Sequence, residues 1–142
     1  MFIKPDGIQR CLVGSIITRF EQKGLKLAAI KMMHVDEQLA NVHYEAHKDK
    51  WFFDRLVKYI TSGPIVLMIW QGDGAICAAR AVIGPTDSLE APPGTIRGDF
   101  AMSVSRNIMH ASDSAQSAER EIALFFSGDE LFDYPRAIDD WV

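Results

Sequence analysis

Apolar and polar positions fall into blocks that switch between a period of two and a period of about 3.6. Phe2 to Lys4 reads as a short strand, stopped by Pro5-Asp6-Gly7. Val13, Ile16, Ile17 and Phe20 then repeat at the spacing of a helix with one buried face, and Gly24 ends it. Leu25, Leu27 and Ala29 alternate within Leu25–Met33 and predict a half-buried strand. Asp36 reads as the N-cap of a helix carrying Leu39, Val42 and Ala46. Phe53, Leu56, Val57 and Ile60 form the stripe of the next helix, closed by Ser62-Gly63-Pro64. Ile65 to Trp70 is an unbroken apolar run, as expected of a central strand covered on both faces. Asp73-Gly74 opens a helix through Ile76, Ala79 and Ile83. Gly84 to Gly98 has no period and holds three prolines, so it reads as a long structured loop. Ser103 to His110 reads as the last strand, and Asp113 as the cap of a final helix with Ala118, Ile122 and Phe125.

The resulting order, β-α-β-α-α-β-α-loop-β-α, predicts a sheet with helices packed on it. Four short strands fit a ferredoxin-like βαββαβ sandwich, with a four-stranded antiparallel sheet, better than a doubly wound one. The chain has 142 residues, which suits one domain over residues 1–142. No apolar run approaches a bilayer span.

Composition narrows the function classes. Hydrophobic residues are 48% and charged residues 24%, which excludes a disordered chain. The net charge of -4 argues against bulk binding of nucleic acid. Two cysteines, Cys11 and Cys77, make no disulfide framework and suit a reducing compartment. A cytoplasmic location is expected, or an organelle such as the mitochondrion if a targeting segment precedes Met1.

Several residues disagree with their local pattern. Glu121 shares a helix face with Ala118, Ile122 and Phe125, so it either snorkels at the rim or has a buried partner. Arg80 shares a face with Ile76, Ala79 and Ile83, and reads equally as a cleft cation or half of a structural ion pair. His110 ends the apolar run Asn107-Ile-Met-His110 just before a helix start, next to a natural anion site. Lys4 closes the first strand at the carboxyl edge of the sheet. Phe52 lies off its helix stripe. The other histidines are less suggestive: His34 follows a strand, His43 shares an apolar helix face with Leu39, and His47 reads as solvated.

The segment Asn107-Ile-Met-His-Ala-Ser-Asp-Ser114 resembles the active-site signature of the nucleoside diphosphate kinase family. The likeness runs over nearly the whole chain, including Lys4-Pro-Asp-Gly7, Gln9-Arg10, Ser62-Gly-Pro64 and Pro93-Gly-Thr-Ile-Arg-Gly-Asp-Phe100. The resemblance implies ping-pong transfer of a γ-phosphate from a nucleoside triphosphate to a nucleoside diphosphate. It implies a phosphohistidine at His110, oriented by Glu121 with Ser112 beside it. Lys4, Arg80 and Arg97 would clamp phosphates, and Thr86 and Asn107 would donate to phosphate oxygens and ribose. Phe52 would stack on the base, and Tyr44 would lie near the transferred group. Mg²⁺ would ride on the nucleotide. The ending Asp139-Asp-Trp-Val142 resembles the tail of hexameric members, with a tetramer as the alternative. Ala111 stands where the family commonly has glycine, and Ser88 where many members have proline. Two rivals stand against the enzyme: a non-catalytic nucleotide-binding regulatory relative, and a nucleic-acid-binding module of the same fold.

Overall fold

A computed structural model describes all 142 residues. Its sheet has four strands: β1 (Phe2–Ile3), β2 (Lys26–Met33), β3 (Ile65–Gln71) and β4 (Met109–His110). They lie in the order β2-β3-β1-β4, with every neighbouring pair antiparallel. This is the ferredoxin-like arrangement expected from the element order. The crossover from β1 to β2 is α2 (Val13–Gln22), and that from β3 to β4 contains α5 (Ala75–Ile83). Between β2 and β3 the chain inserts α3 (Glu37–His43) and α4 (Phe53–Ile60), and α7 (Ala115–Phe125) follows β4.

The apolar run of β3 is sorted by the pleat. Val66, Met68 and Trp70 join Ile16, Phe20 and Ile83 from α2 and α5 in one core. Ile65 and Leu67 face the other way and join Ala40, Ile60 and Phe125 from α3, α4 and α7. Both faces are dry, so this strand has no polar alternation to show. β1 does the same in two residues: Ile3 enters the first core and Phe2 the second. No helix is long and apolar enough to cross a membrane.

The structure departs from the sequence expectations in five places. Pro5-Asp6-Gly7 is no simple stop: it lies within a short helix, α1 (Pro5–Gln9), with proline in its first turn. The long loop hands over to α6 (Ile96–Phe100) before Gly98, because the Thr95 side chain accepts a hydrogen bond from Gly98 N–H. Ala46 falls outside α3, in a separate 3₁₀ turn, Glu45–His47. The cap of α7 is Ser114, which accepts from Ser117 N–H, whereas the Asp113 carboxylate accepts from the Ser117 hydroxyl.

The largest correction is the last strand, which is Met109–His110 only. Ile108 has φ 71°, a left-handed conformation unfavourable for a β-branched residue. It is held there from both sides. Ile108 N–H donates to Asp6 Oδ2 at 3.2 Å, and Ile108 C=O accepts from Lys4 N–H at 2.8 Å. The kink ends strand pairing and brings Asn107 back beside Lys4.

Candidate active site

Registry places the central histidine. His110 in β4 is the cross-strand partner of Phe2 in β1, and their rings stack at 4.7 Å with 23° between planes. From α7, Glu121 reaches the same imidazole. His110 Nε2 lies 3.0 Å from both Glu121 carboxylate oxygens, and the Ser112 hydroxyl donates to Oε2 at 2.9 Å. Glu121 is buried, and its partner is therefore His110, which settles its place on an apolar stripe. Burial works to raise its carboxyl, but hydrogen bonds from His110 and Ser112 prevail and hold it at about 2. An ionised Glu121 accepts only, so Nε2 carries the proton. Burial pushes the His110 imidazole below its ordinary value against the pull of Glu121, which favours the neutral ring. The second ring nitrogen, Nδ1, has no protein partner and is not sealed away.

That nitrogen belongs to a cavity of about 940 Å³. Lys4, Tyr44, Phe52 and Arg80 line it, as do Thr86, Arg97, Asn107 and His110. Glu121 and Ser112 stand behind the imidazole, outside that lining. The ten residues to which the family resemblance gives site roles thus lie at the cavity or directly behind its histidine. The lining also holds Arg55, Lys58 and Arg106, so six cations face one carboxylate, Asp113. A chain of net charge -4 has concentrated positive charge in one cleft, which is the signature of an anion site.

The cations differ in how they are held. Lys4 is buried and donates to Asn107 Oδ1 at 2.6 Å, and burial, with Arg97 nearby, brings it down to about 8. The Asn107 amide donates in turn to Thr86 C=O at 3.0 Å, so it bridges the first strand and the loop. Arg97 in α6 donates to three carbonyls: Nε to Asn107 at 3.3 Å, Nη1 to Gly84 at 2.9 Å and Nη2 to Met109 at 2.8 Å. Burial, then Arg80, brings Arg97 down to about 10, so it stays charged. Arg80 forms no ion pair, which removes the structural-pair reading and leaves a free cation on the wall. At the mouth, the rings of Trp51 and Phe52 meet edge-on at 5.7 Å, and Trp51 is exposed.

Sequence reasoning underrated His43. It is 5% exposed, and neither ring nitrogen has a hydrogen-bond partner. Its ring meets His110 edge-on at 4.8 Å and packs against Phe2, Tyr44 and Phe125. Its position on an apolar helix face was the available signal, but that face also suits a plain core residue. Burial, then His110, lowers His43 from 6.5 to about 3. The unfolded chain therefore takes up a proton that the folded chain refuses, and stability falls as pH drops below about 6.5. From pH 7 to pH 5 this group alone is expected to remove about 2 kcal/mol. Denaturant titrations at the two pH values check it: His43→Phe should lose that part of the slope, and an unchanged slope would contradict it.

An imidazole lone pair facing a cationic cleft, backed by a carboxylate on its other nitrogen, has the chemistry of a phosphotransferase. Comparisons with known proteins agree. The family described as Nucleoside diphosphate kinase matches residues 1–131. A nucleoside diphosphate kinase of Oceanobacillus iheyensis is 53% identical over 142 residues, covering 100% of this chain and 96% of that protein. One from Archaeoglobus fulgidus is 54% identical, covering 100% and 94%. A solved halophilic nucleoside diphosphate kinase from Halobacterium salinarum, in complex with CDP, superposes with TM-score 0.95 at 50% identity, covering 99% of this chain and 93% of that one. The chain belongs to the nucleoside diphosphate kinase family. It is a kinase that moves the γ-phosphate of a nucleoside triphosphate to a nucleoside diphosphate, and the non-catalytic alternative is not favoured.

Proposed function

We propose that the phosphate travels on Nδ1 of His110, in a ping-pong cycle within one cavity. The observation that carries this reading is the pairing of Nε2 with Glu121 while Nδ1 is left for the cationic cleft. A cavity of about 940 Å³ is the size of one small-molecule site, so donor and acceptor nucleotides would visit in turn. Lys4, Arg80 and Arg97 neutralise the phosphate oxygens. Thr86 and Asn107 donate to phosphate and ribose, and Phe52 offers its face to the base. Stacking reads no base edge, so several bases are accepted.

In the first half-reaction the Nδ1 lone pair attacks γ-phosphorus in line. The N–P bond forms, the bond from γ-phosphorus to the bridging oxygen breaks, and the nucleoside diphosphate leaves with that oxygen. The ring, still protonated at Nε2, now bears positive charge, which the Glu121 carboxylate stabilises. Ser112 holds that carboxylate in place. Burial raises the Tyr44 phenol, so it stays a protonated donor beside the transferred group. The second half-reaction is the reverse, onto a new diphosphate.

The donor set of the cleft fits a magnesium ion that arrives with the nucleotide. Asp113 is the one carboxylate of the lining, and Mg²⁺ prefers phosphate oxygens and water to such a sparse set. Such an ion would supply charge neutralisation to the nucleotide phosphates, with Asp113 the carboxylate available to its waters.

Incubation with γ-labelled ATP and Mg²⁺ should place an acid-labile, base-stable label on His110, and added GDP should remove it as labelled GTP. A protein that binds ATP without ever taking the label would refute the phosphohistidine reading. Glu121→Ala should slow the labelling by about 10²-fold with nucleotide affinity nearly intact, measured by single-turnover quench. An unchanged rate would remove its orienting role.

We read residues 1–142 as a single domain that assembles as a homo-hexamer. Exposed Ile30 and Met32 on the edge strand β2, and exposed Leu89 and Met102 near the long loop, support assembly. Light scattering separates hexamer from tetramer and monomer. Two exposed free cysteines suit the reducing cytoplasm.

A further inference from the structure

We propose that His43, His110 and Glu121 form an inhibitory site for a transition-metal ion of the Zn²⁺ type. Each of the three offers one ligand atom, and these atoms all lie within 4.8 Å of one another. The pair His110 Nε2 and Glu121 is already at 3.0 Å, close to the spacing of adjacent ligands around zinc. Ligand atoms around a tetrahedral zinc stand about 3.3 Å apart, so a closure of up to about 1.5 Å by His43 toward the pair completes the set.

The second observation is the state of His43 itself. A buried imidazole with both nitrogens unbonded is less stable there than an aromatic hydrocarbon of similar shape, because each nitrogen has lost its water and gained no partner. Phe2, Tyr44 and Phe125 give its ring an apolar setting, in which phenylalanine would pack without that cost. Holding a metal ion gives the unmet nitrogen a use. Two imidazoles and one carboxylate suit zinc, whose sites commonly have three protein ligands and one water. The same set is poor for Mg²⁺, which takes oxygen ligands, so the ion that accompanies the nucleotide does not compete.

The consequence follows from proton placement. A metal on Nε2 of a neutral imidazole displaces the proton there, which moves through the solvent of the cavity to Nδ1. The nitrogen that faced the nucleotide then carries N–H and has no free lone pair. Glu121 is drawn to the ion at the same time. Inhibition in this form rests on the reading of Nδ1 as the nucleophile, whereas binding of the ion does not.

The test uses the full chain with Zn²⁺ alone, without nucleotide or Mg²⁺. Calorimetry should give one ion per chain, and ring ¹⁵N spectra should show the His110 proton moving from Nε2 to Nδ1 with His43 shifting together with it. His43→Phe should weaken binding at least tenfold. No stoichiometric binding, equal binding by His43→Phe, or an ion that moves only His34 or His47 would each overturn the site. If His43→Phe does not fold, the spectra of the unaltered chain decide. Zinc should also suppress labelling by γ-labelled ATP. A zinc-free chain that never takes label refutes the phosphohistidine, and leaves the binding result standing.

Discussion

His110→Ala is expected to abolish the labelled intermediate and to lower γ-phosphate transfer by about 10⁴-fold or more. The expectation follows from what else the cleft contains. Lys4, Arg80 and Arg97 are cations, which have no lone pair with which to attack phosphorus while charged, and the hydroxyls of Tyr44 and Thr86 have no base at hydrogen-bond distance. His47 also lines the cleft, but it lacks a carboxylate behind it to fix its tautomer. Direct transfer between nucleotides would need both in a cleft sized for one. Nucleotide affinity should change little, since the proposed function assigns binding to the cations and Phe52. Steady-state transfer from ATP to GDP, with nucleotide binding measured in parallel, checks both halves. Transfer within tenfold of the unaltered chain would transfer the nucleophile's role to another residue.

Arg97→Ala is expected to cause the largest loss of stability among the cleft residues, about 3 kcal/mol. Its guanidinium joins the carbonyls of Gly84, Asn107 and Met109, which belong to the long loop, the kinked segment and β4. Alanine would leave the Gly84 and Met109 carbonyls without their donor at a site where the arginine is 8% exposed, whereas Asn107 C=O keeps Met109 N–H at 2.7 Å. For a chain of this length the melting temperature should drop by about 10 °C. Lysine should rescue little, because one ammonium cannot span three acceptors held by a planar fork. A melting temperature unchanged in Arg97→Ala would mean that the three segments hold together without it. Transfer should fall as well, since the same clasp fixes Asn107 and the start of β4.

Much of this architecture could be read from residue pattern alone. The unbroken run Ile65–Trp70 announced a strand buried on both faces, and the stripe Val13, Ile16, Ile17, Phe20 announced α2. Glu121 declared itself by being a carboxylate among apolar neighbours, and its partner is the histidine at the end of β4. Short elements were harder. Helices α1 and α6 have five residues each, too few for a hydrophobic period to repeat, and only Pro5 and Thr95 marked their starts. The cap of α7 was misplaced by one residue because Asp113 and Ser114 are both good caps. The kink at Ile108 had no local signal: it is imposed by Asp6, more than a hundred residues away. His43 was concealed for the opposite reason, since a helix face with Leu39 is where an ordinary buried residue would also stand.

The carboxylate behind His110 has one more effect. An imidazole can be phosphorylated at either nitrogen, giving two regioisomers that differ in lability and in their phosphorus spectra. On the proposed reading, with Glu121 paired to Nε2, the scaffold would admit the Nδ1 isomer alone, so the side of the ring that is blocked would dictate the identity of the chemical species on the other.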